Sequence, residues 1–365
     1  MVQNMQRMIH RLKELTSIVA LSGYEDSVIR YVREQFSQLS LDSSVDSLGN
    51  VSIKMNNAKS ENPFRVMIFA HMDELGLIVK KVEDSGFLRL ERLGGIPEKS
   101  LAGQSVLIEV GNSRLQGLIG TKSHHVTKQE EKYRVLPVNE IYADFGFRSK
   151  QEVLDAGISV GTPVAYSRQF FNNDTIVFSN SLDNRVGCLT LIELAERIVT
   201  KDIPCELYIV FSVQEEFNLR GVLPMVREID PHLAITVDIS IASDTPEFAG
   251  EWDIQMGGGP TIGMYTFHGR GTLGGVIPNP KLVEHIKTIS NENNILLQQS
   301  AMIGILTDAS FTQLENRGIP VVDLGFPARY SHAPIESVDL RDVDQLIQLL
   351  EKLVFSVNTV DLSRG

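Results

Sequence analysis

Apolar positions along the chain alternate between a helical and a strand period. Met5, Met8, Ile9, Leu12 and Leu15 recur at helical spacing, and Val28, Ile29, Val32 and Phe36 repeat the stripe behind an acidic first turn. The stretches "NVSIKM" and "RVMIFAH" then read as strands, the second of the fully buried type. Between Leu75 and Ala165 the pattern changes. Four short, glycine-punctuated, partly alternating segments follow closely on one another: "LGLIVKKVE", "FLRLERL", "QSVLIEV" and "RLQGLIG". Such spacing predicts a small β-barrel or sandwich, closed by a helix near "SKQEVLDAG".

From about residue 168 the βα alternation returns. A helix is expected after Asp183 in "NRVGCLTLIELAERIV", a strand in "CELYIVFSV", a helix near 219–228 and a strand in "HLAITVDI". The helix "NPKLVEHIKTISNENN", the strand "GIPVVDLGF" and the helix "LRDVDQLIQLLEKLVFSVNTV" complete the series. Nearly continuous apolar strands alternating with helices imply a sheet covered on both faces. "MGGGPTIG" lacks the Lys and Ser/Thr of a phosphate loop and reads as a tight turn. No internal repeat, low-complexity tract or Pro-rich linker interrupts the pattern.

Length fits this division: 365 residues suit two domains, or one large domain with an insertion. With 42% hydrophobic and 22% charged residues, a sizeable core is available. Lys and Arg number 34 against 46 Asp and Glu, a net charge of -12 that argues against nucleic acid or an anionic membrane as the main partner. Cys188 and Cys205 lie in apolar stretches and read as reduced, buried thiols. Neither a signal-peptide core nor a run of about 18 apolar residues occurs, so the expected location is cytoplasmic.

Candidate chemistry gathers at strand ends, where open α/β sheets bind their ligands. "VMIFA" runs into His71 and Asp73, "LYIVFSVQ" into Glu215 and Glu216, "LAITV" into Asp238, and "IPVVDLGFPARYS" leads to His332. Imidazole with carboxylate is the ligand set of zinc and its transition-metal neighbours, and the lack of cysteine ligands leans towards a catalytic site. Asp73, two residues beyond His71, could fix its tautomer. Asp183 sits where a loop turns into a helix, either as an N-cap or as a carboxylate shared by two ions. Glu215 and Glu216 are adjacent and would point opposite ways in a strand, so both can face a site only if the strand ends or bulges there. Otherwise one is solvated and the other pairs with Arg220. His124 and His125 read as a surface pair, with a contribution to a neighbouring subunit as the alternative, and His10, His232, His268 and His285 as structural. No G-x-S-x-G elbow is present.

The segments "AHMDELGLIV", "NEIYADFGFRSKQEVLDAGISVGTPVAY", "SLDNRVG", "QEEFNLRG", "TVDIS" and "TDASFTQLENRGIPVVDLGFPARYSHAPIESVDLRD" together resemble the M42 family of metallo-aminopeptidases across essentially the whole chain. The resemblance implies a zinc-peptidase-like α/β/α sandwich of residues 1–73 and 168–365, with a β-barrel dimerisation domain inserted at 74–167. It implies two divalent ions, zinc or cobalt with manganese as a third candidate. His71 and Asp238 would bind one, Glu216 and His332 the other, and Asp183 would bridge them. Glu215 would be the general base, and Asp73 would orient His71. Peptides with a free N-terminus would be the substrates, and a homo-oligomer between dimer and dodecamer the assembly. The family's usual Val-Gly after the glutamates is replaced here by Phe217 and Asn218, which bears on pocket shape and specificity. Two rivals are a metal-binding homologue with little turnover and a glycoside hydrolase. The latter would leave the histidines without a role.

Overall fold

In the computed structural model, which describes residues 2–56, 62–269 and 273–364, the strand Arg65–His71 shows how the layers arise. Val66, Ile68 and Ala70 join one apolar cluster, with the helices Val2–Ser17, Asp26–Gln38, Leu182–Ile198 and Leu340–Val354. Met67 and Phe69 join another on the opposite face, with Val222, Met225, Val226 and Ala309. Successive strand residues point to opposite faces, so a strand apolar at nearly every position must be covered twice.

Four parallel strands form the centre of the large sheet, in the order Glu206–Ser212, Arg65–His71, Leu233–Ile241 and Val321–Arg329. Antiparallel strands extend both sides. Val51–Lys54 and Ser43–Val45 lie beyond Glu206–Ser212, while Glu336–Asp339, Ile176–Ser179 and Phe170–Asn173 lie beyond Val321–Arg329. Helix Leu182–Ile198 is buried almost all round and packs on Arg65–His71, Leu233–Ile241 and Leu340–Val354. Gly187 permits this approach, since a Cβ there would sit 2.9 Å from that of Ala70.

The segment between is a closed barrel of six strands: Gly76–Val82, Leu88–Leu93, Tyr142–Asp144, Ser113–Ile119, Ser105–Val110 and Pro163–Tyr166. It has its own core of Leu77, Val79, Leu90, Val106, Ile108 and neighbours. The expected α/β fold with an inserted barrel is thus the observed one.

Differences are local. The helix expected at 219–228 is Leu223–Ile229, because Asn218 and Leu219 adopt left-handed backbone (φ +80° and +54°) before it can start. The turn at 256–260 leads directly into the strand Thr261–Phe267, which pairs with Gln298–Ile303 and Val321–Arg329.

Candidate metal centre

His71 ends its strand fully buried. Its Nδ1 lies 3.2 Å from the carbonyl oxygen of Asp73 and 3.5 Å from Asp73 Oδ1, so the nearer partner is the main chain. Nε2 faces Asp183 Oδ1 at 3.1 Å. The Asp73 carboxylate also braces the glutamates: Oδ1 accepts from Glu215 N at 3.0 Å, and Oδ2 accepts from Glu216 N at 3.1 Å and Ser22 Oγ at 2.6 Å.

How Glu215 and Glu216 face one site is settled by the backbone. Strand Glu206–Ser212 stops before them, and Gln214 turns the chain with φ +56°. Strand alternation therefore no longer applies. Glu215 Oε2 lies 3.8 Å from His71 Nε2, whereas Glu216 Oε2 lies 3.7 Å from His332 Nε2. Arg220 pairs with neither; its guanidinium lies over the Phe217 ring at 5.6 Å.

Asp183 is not a cap. Helix Leu182–Ile198 starts after Ser181 without a side-chain cap, and Asp183 has non-helical backbone followed by a cis peptide to Asn184. Its carboxylate stands between the histidines, with Oδ1 3.1 Å from His71 Nε2 and Oδ2 3.7 Å from His332 Nε2. His332, at φ +64°, has Nδ1 2.9 Å from the carbonyl oxygen of Gly95, so the barrel side of the chain meets its imidazole. A Cβ at residue 95 would lie 3.1 Å from that Nδ1.

Among the described residues, three groups bring potential ligand atoms within 4.8 Å of one another: His71–Asp183–Asp238, Asp183–Glu216–His332 and His71–Glu215–Glu216. The first two share Asp183. Burial, reinforced by the Asp183 charge, holds the carboxyls of Glu216, Asp238 and Glu336 well above the usual range. Burial also raises that of Glu215, against the pull of His71. For His71 burial would lower the value, yet Glu215, Asp183 and Asp73 hold it well above an ordinary imidazole. Asp73 goes the other way: burial would raise it, but hydrogen bonds and charge from His71, with Ser22 and the Glu215 amide, lower it. So much crowded negative charge calls for cations, and Glu216 Oε1, buried without a hydrogen-bond partner among the described residues, is a free donor atom for one. Imidazole and carboxylate donors suit a transition-metal ion.

Several contributors escape sequence reasoning. Glu336 accepts from Asp183 N at 2.9 Å and His332 N at 3.0 Å, tying two candidate ligands together. Glu25 accepts from Gln214 N at 3.1 Å and Gly23 N at 2.8 Å, which fixes the turn before Glu215. A hydrophobic pattern gives no sign of either contact; the only sequence signal for Glu336 is its place four residues after His332. The cleft above the cluster measures about 790 Å³ and is lined in part by barrel-side residues Arg92, Gly95, Ile96, Pro97 and Glu98. His268, expected to be structural, lines it too, as does Asn218, whereas Phe217 is exposed outside the lining. His124 and His125 lie exposed on the connection 120–141, His10 faces Glu14, His232 accepts from Arg65 N and stacks on Phe64, and His285 meets Ser356.

Comparison with known proteins agrees with this geometry. The family model described as M42 glutamyl aminopeptidase matches residues 49–349. SgcX of Escherichia coli, whose name carries a provisional aminopeptidase assignment, is 38% identical over 336 residues, 92% of this chain and 90% of its own. A solved aminopeptidase from the archaeon Desulfurococcus kamchatkensis superposes with a TM-score of 0.89 at 33% identity, covering 96% of this chain and 95% of that one. The TET1 peptidase of Pyrococcus horikoshii, described as able to assemble into a tetrahedron or a large octahedral shell, gives a TM-score of 0.84 at 28% identity, covering 95% and 99%.

Proposed function

The chain belongs to the M42 glutamyl aminopeptidase family and is a metal-dependent aminopeptidase; from that premise we propose that it releases the N-terminal residue of peptides at a centre for two divalent ions. His71 and Asp238 would hold one ion, Glu216 and His332 the other, with Asp183 shared. The observation that carries this reading is the Asp183 carboxylate, whose two oxygens face different histidines at 3.1 and 3.7 Å. The donor set fits zinc, cobalt or manganese.

When bound, such ions polarise the scissile carbonyl and make a water more acidic. Glu215 takes a proton from the attacking water and returns it to the leaving amine nitrogen as the C–N bond breaks, so the carboxylate is regenerated. Burial favours this, since it raises the proton affinity of Glu215. Asp73 positions both partners, through its carbonyl at His71 Nδ1 and its carboxylate at the Glu215 and Glu216 amides. The free α-amino group of a peptide meets the carboxylate-rich floor of the cleft, which limits cleavage to the first residue. A binding-only role is disfavoured by the retained Glu215, and a glycosidase role by histidines that would have no task.

We further propose that residues 1–73 and 168–365 form the catalytic body and that the barrel of 74–167 serves dimerisation, within a homo-oligomer of two to twelve subunits in the cytoplasm. No helix among the described residues is long and apolar enough to cross a membrane, and with a net charge of -12 no nucleic-acid role is proposed. The test is an assay of aminoacyl-nitroanilides and short peptides after chelation and after restoring zinc, cobalt or manganese. Metal-restored release of first residues supports the reading; no cleavage of any free-N-terminus substrate with any metal sinks it.

A further inference from the structure

The side chain that the enzyme accepts at the peptide N-terminus is legible in the cleft wall. Apart from the candidate ligands and Glu215, the lining has an apolar side made by Leu219, Ile239, Ile241, Ile305, Leu306 and Phe311. Ile241, Ile305, Leu306 and Phe311 are only half-buried and turn surface to the cleft, while half-buried Ile239 also packs against the core of the large sheet. Ile239 and Ile241 lie one and three residues beyond Asp238 on the strand Leu233–Ile241, on the face opposite to its side chain by strand alternation, and both line the cleft at the strand's end. Half-exposed aliphatic groups lining a concavity gain by burial against an apolar ligand side chain.

Among the described residues, charge recognition has little to work with: the charged lining residues outside the cluster are Arg92 and Glu98, and they face each other at 3.3 Å. Arg92 Nη1 also donates to the carbonyl oxygen of Ile96 at 3.4 Å. An incoming carboxylate would meet Arg92 with Glu98 already beside it, and an incoming ammonium would meet Glu98 with Arg92 beside it. Either substrate charge would leave water for a paired site or an apolar wall, at a net cost.

We infer that, resting on the aminopeptidase reading, the enzyme selects uncharged aliphatic N-terminal residues of the leucine class and discriminates against glutamyl and lysyl ones, whatever the family's name suggests. The test compares leucyl-, glutamyl- and lysyl-para-nitroanilide on the metal-loaded enzyme, alongside calorimetric binding of free leucine, glutamate and lysine. Leucyl kcat/KM is expected to exceed the other two by about 10- to 100-fold, and leucine to bind more tightly than glutamate or lysine. In Ile305→Lys, a position outside the ligand set, the glutamyl-to-leucyl ratio should rise by at least about tenfold. Glutamyl or lysyl substrate cleaved as well as leucyl overturns the inference while leaving the aminopeptidase reading intact. Absence of all cleavage overturns both.

Discussion

Glu74 and Arg168 meet two-to-two where the chain passes between the sheet body and the barrel. Arg168 Nη1 donates to Glu74 Oε2 at 2.6 Å, and Nη2 donates to Oε1. The barrel strands start two residues after Glu74 and end two before Arg168. Glu74 also accepts from Ala20 N at 2.7 Å and from Ser181 Oγ, and the fully buried Arg185 lies 3.7 Å from Oε1. One carboxylate thus binds both crossings to the segment that leads into Asp183. Burial would raise its pKa, but Arg168 and Arg185 hold it below the ordinary glutamate value.

Removing one partner of a buried pair leaves the other charge uncompensated, which costs about 3–5 kcal/mol. Arg168→Met is therefore expected to lower Tm by several degrees and to weaken metal retention, since Ser181 sits two residues before Asp183. Thermal unfolding with and without chelator measures both. An unchanged Tm would show that the pair braces nothing.

A second prediction concerns Glu336, which supplies no ligand in the proposed scheme but accepts the amides of both Asp183 and His332. Glutamine offers one acceptor oxygen and would aim its NH2 group at the other amide. Glu336→Gln should accordingly lose about 10- to 100-fold in metal affinity, as changes to groups that orient ligands usually do. Competition against a chromophoric chelator reads this directly. Retention equal to the parent protein would show that the two ligand segments hold their places unaided.

The contrast between Glu336 and His71 marks what the sequence can and cannot disclose. His71 ends its parallel strand, Glu215 follows shortly after the end of another, and Asp238 stands three residues before the end of a third; the apolar runs of all three are plain in the chain, so their convergence at one edge follows from topology. Glu336 lies in a short antiparallel strand, Glu336–Asp339, whose pattern is mostly polar, and only the tertiary fold brings it under Asp183. The strands Phe170–Asn173 and Ile176–Ser179 were illegible for a related reason: each has four residues, too few to establish a period. Nor could periodicity reveal that Gly95, from the barrel side, would stand against His332. Side-chain types at strand ends carry across from sequence; contacts between distant turns do not.

Away from the metal centre, Asp342 gives a pH test with a definite sign. Its oxygens accept from Gly257 N at 2.7 Å and Gly259 N at 2.8 Å, yet burial outweighs these bonds and pushes its carboxyl up to about 6. Between the unfolded value near 3.8 and the folded value, the folded chain binds more protons, so this group's contribution to stability falls as pH rises. Asparagine at this position does not titrate. The stability of the parent protein relative to Asp342→Asn should thus decline from pH 4 to pH 7, by at most about 3 kcal/mol. Parallel denaturation series across that range measure the difference, and a gap that stays constant or widens with pH contradicts the assignment.

The cysteines provide the last prediction. Cys188 lies on the helix behind the cluster and donates to the carbonyl oxygen of His71 at 3.3 Å; burial pushes its thiol up to about 11. Cys205 is buried too, and its thiol is pushed up to about 12. Attack on a disulfide reagent requires both thiolate and access, and at pH 8 neither side chain has much of either. The folded enzyme should therefore leave both thiols unreacted over the time in which the denatured chain reports two, and alkylating reagents should not reduce its activity. Removing the metals is expected to loosen the strand end at His71 and make Cys188 the first to react. Rapid labelling of Cys188 in the fully metal-loaded protein would mean that the helix Leu182–Ile198 opens far more readily than its burial implies.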